Sequence, residues 1–169
     1  MMDAIAGALA LGGINTIGDV LAGQLKLGSQ ALYPVGRILL ACYFVGGLIG
    51  LQSRQLMIGT LSGLMLGTVI AGVYVMLLPA LGTGALWLAW ALFWIGFAGC
   101  EAVLRGEIGP TSAVVQGVGA AVLSGAMCYA ISGMWPESTP SDPHIIRSFV
   151  LWTGTFVSGF VPLFWRRAA

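Results

Sequence analysis

An all-α integral membrane protein, folded as a compact six-helix transmembrane bundle in a single domain over residues 1–169, is what this sequence predicts. Only 8% of its 169 residues are charged and 58% are hydrophobic, whereas soluble domains carry about 25% charged residues. The apolar residues fall into six runs, each near the roughly 20 residues a helix needs to cross a bilayer core. The links between runs are short, so a soluble domain has no residues to build from.

Each span follows from its own stretch. The first runs from about Ala4 to Leu25 and carries Asn15 and Asp19, which share a helical face at a spacing of four. The second covers about Leu32 to Leu51. It includes Arg37, because the residues from Ile38 to Leu51 alone are too few to cross about 30 Å at about 1.5 Å each. The third, Leu56 to Leu78, has the ridge Gly59-x3-Gly63-x3-Gly67, where another helix backbone can approach closely. The fourth runs from Leu81 to Leu104, the fifth from Ala113 to Met134 and the sixth from Ile145 to Trp165. The longest link is the polar, Pro-rich stretch Trp135 to His144. Links this short make sequential helices antiparallel neighbours.

Six spans put both termini on one side. That side holds Arg54, Arg105, Arg166 and Arg167, against Lys26, Arg37 and Arg147 on the other. By the positive-inside rule both termini are expected in the cytoplasm, with the chain in a bacterial-type inner or plasma membrane. A net charge of +1 gives no basic surface for nucleic acid. Cys42, Cys100 and Cys128 lie in apolar segments without CxxC spacing and imply neither a disulfide framework nor a metal site. There is no Ser/His/Asp set, HExxH or phosphate loop, so no enzyme activity and no cofactor are expected.

Aligning residues 1–83 with residues 84–166, a shift of 83, gives thirteen identities, among them Gly13/Gly96, Val20/Val103, Gly36/Gly119 and Pro79/Pro162. Chance in so biased a composition gives roughly seven. The unit would be three spans, with repeat halves 1–83 and 84–169. An odd number of spans inverts the topology, as in many channels and carriers.

The fourth span concentrates the large aromatics. Trp87, Trp90, Trp94, Glu101 and Arg105 fall within an arc of roughly 60° at about 100° per residue. This face reads equally as a packing or lipid stripe ending in an ion pair, or as one wall of a narrow solute path. Gln116, one turn into the fifth span, can both donate and accept hydrogen bonds. Charged residues at membrane depth face a partner or a cavity, which makes Asn15, Asp19 and Arg37 the intramembrane polar candidates. Asp19 is the most economical partner for a buried Arg37, and interfacial snorkelling of both is the other option.

The motif Trp87-Leu88-Ala89-Trp90-Ala91-Leu92-Phe93-Trp94, with Glu101, Leu104-Arg105 and Val114-Val115-Gln116-Gly117, resembles the urea/amide channel family, the acid-activated urea channel and amide-transporter group. The resemblance covers roughly residues 84–130. It implies six helices, hexameric rings, no cofactor, and a constriction lined by the tryptophan helix that passes urea or small amides. In the family this helix is the fifth of six, whereas here it is the fourth. Gln116 stands where the family can carry a pore glutamate, a departure at the residue on which charge-based gating would rest.

Three functions are therefore open. The first is a homo-oligomeric channel or facilitator for a small neutral polar solute, with Trp87, Trp90 and Trp94 as constriction and Gln116, Glu101 and Arg105 as polar guides. The second is a non-transporting structural or accessory subunit of a larger membrane complex. The third is an ion- or proton-coupled carrier resting on Asp19 and Arg37.

Overall fold

The computed structural model describes residues 2–24, 32–106, 109–134 and 144–164. The link at 135–143, Lys26 and the anchor expected at Trp165 to Arg167 lie outside the described residues, as do the side chains of Arg105 and His144. Every described element is a helix: α1 (Met2–Gln24), α2 (Leu32–Gln52), α3 (Leu56–Leu81), α4 (Gly84–Arg105), α5 (Pro110–Met134) and α6 (His144–Phe164). Five of these are long and apolar enough to cross a membrane, while the apolar part of α1 is the shorter Ile5–Leu21. Apolar side chains are strongly exposed along them, with Val103 at 84%, Met76 at 80% and Met57 at 77%. Water would not tolerate so much apolar surface on one small chain, but lipid solvates it.

The chain divides into two compact units, one made of Met1–Gly28 with Val122–Ala169 and the other of Ser29–Ala121. These boundaries differ from the repeat halves 1–83 and 84–169. Helix α5 supplies its first half to the second unit and the remainder to the first.

In the unit of α2, α3 and α4, glycine sets the packing. A Cβ on Gly59 would lie 2.4 Å from the Gly50 Cα, and one on Gly63 would lie 2.3 Å from the Cys42 carbonyl oxygen. The Gly59-x3-Gly63-x3-Gly67 ridge is thus a close backbone approach to α2, as its spacing predicts. The pairing of 50 with 59, 46 with 63 and 42 with 67 runs antiparallel. The turn between the two helices is tight: Gln55 N–H donates to the Gly50 carbonyl at 2.7 Å, and Arg54 takes a left-handed φ of 57°. Helix α4 ends on Gly106, whose φ of 66° suits glycine and whose N–H donates to the Ala102 carbonyl. Helix α4 meets α3 where Gly96 accepts the Leu66 side chain, and α5 meets α4 where Gly117 sits against the Ile95 backbone.

In the other unit α1 packs on α6. Ala8 is fully buried, and a Cβ on Gly12 would collide with the Thr153 hydroxyl at 2.0 Å. Pro162 lies two residues before the end of α6, as Pro79 does in α3.

Candidate functional site

The most developed polar constellation lies between α1 and α6. Ala8, Gly12, Asn15, Thr16 and Asp19 occupy one face of α1 by helical spacing. Asn15 and Thr16 are 6% and 5% exposed. Both satisfy part of their hydrogen bonding within α1: Asn15 Nδ2 donates to the Leu11 carbonyl at 2.8 Å and Thr16 Oγ1 to the Gly12 carbonyl at 2.7 Å. Asp19 reaches across instead. Its Oδ2 accepts from Ser148 Oγ at 2.5 Å and from Trp152 Nε1 at 2.7 Å, both on α6.

Helix α6 presents these donors because Ser148, Trp152 and Thr155 recur at i, i+4 and i+7 along one face. Thr155 is 1% exposed, and its hydroxyl has no hydrogen-bond partner among the described residues; the Thr153 hydroxyl, set in the notch at Gly12, has none either. Beyond Trp152 the rings of Phe156, Phe160 and Phe164 follow at centroid spacings of 6.4, 6.4 and 5.5 Å, a buried aromatic ladder along the helix. A carboxylate fixed by two donors, with hydroxyls nearby in sequence that both donate and accept, can bind a small molecule carrying N–H donors and a carbonyl.

The tryptophan face of α4 does not keep one environment. Trp87 is 59% exposed, Trp90 is half-buried and Trp94 is fully buried. Trp90 stacks on Phe93 at 5.6 Å, and Trp94 stands edge-on to both Trp90 and Phe93. Phe97 closes the cluster against Phe93 at 4.9 Å. Glu101, two turns on, is 3% exposed, so it lies inside the protein and not at a water-facing mouth. The Gln116 amide oxygen is also buried, with no hydrogen-bond partner among the described residues, one residue before the Gly117 contact with α4. Arg37 donates to the Tyr33 hydroxyl at 3.1 Å and lies 5.2 Å from the centre of that ring.

Sequence reasoning named Asn15 and Asp19 but missed Ser148, Trp152, Thr153 and Thr155. The available signal was the one-sidedness of α6, where Arg147, Ser148, Thr155 and Ser158 gather on one face; Thr153 lies off that face and carried no such signal.

No protein-family model, curated protein or solved structure matches the chain. Fold and composition define its class: an all-helical protein, over the described residues, with at least five helices fit to cross a membrane.

Proposed function

We propose that this protein is a membrane facilitator for a small neutral polar solute, of the size and chemistry of urea or a short amide. The observation that carries the reading is the Asp19 carboxylate, held by Ser148 and Trp152 across α1 and α6. A carboxylate in an apolar segment costs several kcal/mol, and helix packing alone does not require one. Asp19 offers an acceptor to solute N–H groups, while the Thr153 and Thr155 hydroxyls can donate to its carbonyl. Gln116, Glu101 and Trp94 are a second buried polar and aromatic set within the other unit. The similarity of the tryptophan motif to the urea/amide channel family supports the same solute class.

The six-span, inverted-repeat reading belongs to this proposal. Shifting the C-terminal ends of α2 and α3 by 83 residues lands within one residue of the C-terminal ends of α5 and α6, and Pro79 falls on Pro162. In this arrangement α1 also crosses, both termini are cytoplasmic, and copies of the chain associate in the membrane. Stopped-flow light scattering on proteoliposomes facing a urea or acetamide gradient tests the function. Recovery faster than in empty liposomes supports it, and recovery equal to empty liposomes with folded, inserted protein overturns it.

A second reading, the accessory subunit, is favoured by the complete burial of Trp94 and Phe97 in a packed aromatic cluster. On that reading the α1–α6 hydrogen bonds are interhelical glue, and no solute moves. A coupled carrier differs in that an ion or pH gradient would drive uptake against a solute gradient.

A further inference from the structure

We propose that Cys42 on α2 and Cys100 on α4 form a two-thiol site for a thiophilic d10 metal ion, Hg(II) being the ion that suits it best. The two residues are far apart in sequence, and α3 brings them together. A Cβ on Gly67 would lie 2.8 Å from the Cys42 Cβ and 3.4 Å from its Sγ, so the Cys42 side chain is directed at the glycine ridge of α3. On the neighbouring side of α3, Leu66 packs into Gly96 of α4. Cys100 follows Gly96 by one helical turn, on the same face of α4.

The heights agree as well as the directions. Helices α2 and α4 both run antiparallel to α3, so Cys42, level with Gly63 and Gly67, and Cys100, one turn beyond the Leu66 level, fall within about one turn of each other. Glycine at 63 and 67 lets α2 approach α3 closely at that height, which brings Cys42 down onto the α3 backbone. Helices α2 and α4 also touch each other directly, without α3 between them along their whole length. Cys42 is fully buried while Cys100 keeps some exposure, which gives an entry side.

The chemistry selects the ion. Among the described residues no group of three or more His, Cys, Asp or Glu converges, which excludes the tetrahedral sites that zinc requires. Two soft sulfurs suit a d10 ion that accepts two ligands. Mercuric chloride is itself uncharged and enters apolar surroundings. Two S–H and two Hg–Cl bonds break, two Hg–S bonds form, and two HCl leave. The bis-thiolate product is neutral, which an apolar interior tolerates where an anionic complex would be penalised. Binding would clamp α2 to α4 at mid-helix. This inference does not depend on the transport reading.

Titration of the detergent-purified chain with mercuric chloride tests it, read by thiolate-to-mercury absorption and by intact mass with and without iodoacetamide. The expected result is one mercury that protects both Cys42 and Cys100 from alkylation, while Cys128 is blocked separately. Cys42→Ala and Cys100→Ala should each abolish the bis-thiolate absorption, and Cys128→Ala should leave it unchanged. Mercury adducts forming independently on Cys42 and Cys100, one ion each, would overturn the proposal. So would bis-thiolate absorption that survives in either single variant. Circular dichroism of each variant separates loss of the site from loss of the fold.

Discussion

The indole N–H of Trp152 on α6 donates to the Asp19 carboxylate on α1 at 2.7 Å, sharing Oδ2 with the Ser148 hydroxyl. One oxygen thus fixes two helix turns of α6 against α1. The two donors act on the same acceptor, so their contributions should not add. Trp152→Phe and Ser148→Ala are each expected to cost about 1 kcal/mol, the scale of interhelical hydrogen bonds in membranes. Unfolding titrations in mixed detergent, run as a double-mutant cycle, should give a coupling energy clearly different from zero. Strict additivity would mean that the two donors do not compete for Asp19.

Trp87 and Trp94 share a helical face yet should behave oppositely on truncation. Trp94 has no exposed surface and touches two rings, so Trp94→Ala should cost about 3–5 kcal/mol, as buried aromatics do. Trp87, more than half exposed, should cost less than about 1 kcal/mol when replaced by Ala. Thermal melts followed by circular dichroism distinguish the two. Equal losses would argue that Trp87 is covered by a partner.

Gly59→Ala places a methyl 2.4 Å from the Gly50 backbone, whereas Gly72→Ala on the same helix meets nothing within 4 Å. Overpacking of this kind costs about 1–3 kcal/mol, so the first should lower the melting temperature. The second should leave it unchanged or raise it slightly, through the helix propensity of Ala.

Arg54 holds a left-handed φ of 57° in the turn between α2 and α3. That conformation costs a residue with a Cβ about 1–2 kcal/mol. Arg54→Gly is therefore expected to be neutral or stabilising in a thermal melt, despite the greater freedom glycine gives the unfolded chain.

Much of the fold was legible in the sequence, and the reason is chemical. Helix ends at Gln52, Leu56, Arg105 and Met134 fall within a few residues of where the apolar runs stop, because length and hydropathy govern spans in a bilayer. The Gly59-x3-Gly63-x3-Gly67 ridge was readable because small residues at a spacing of four have one efficient use. The environment along α4 was not. Helical periodicity places Trp87 and Trp94 on one face, but the neighbours at each height decide whether that face meets lipid or protein. The partners of Asp19 were also hidden, since Ser148 and Trp152 lie more than 120 residues away and only the α1–α6 pairing joins them.

The most direct test of the transport account is stopped-flow shrink–swell of proteoliposomes carrying Asp19→Asn beside the parent chain. Asn keeps the shape of the side chain and an acceptor for Ser148 and Trp152 while removing its charge and one acceptor oxygen. Loss of one transition-state contact worth about 1.4 kcal/mol corresponds to about tenfold. The expected result is parental urea or acetamide permeability well above empty liposomes, reduced about tenfold or more in the variant, with helicity and insertion unchanged. Solute flux equal to the parent in folded Asp19→Asn would contradict the role given to Asp19.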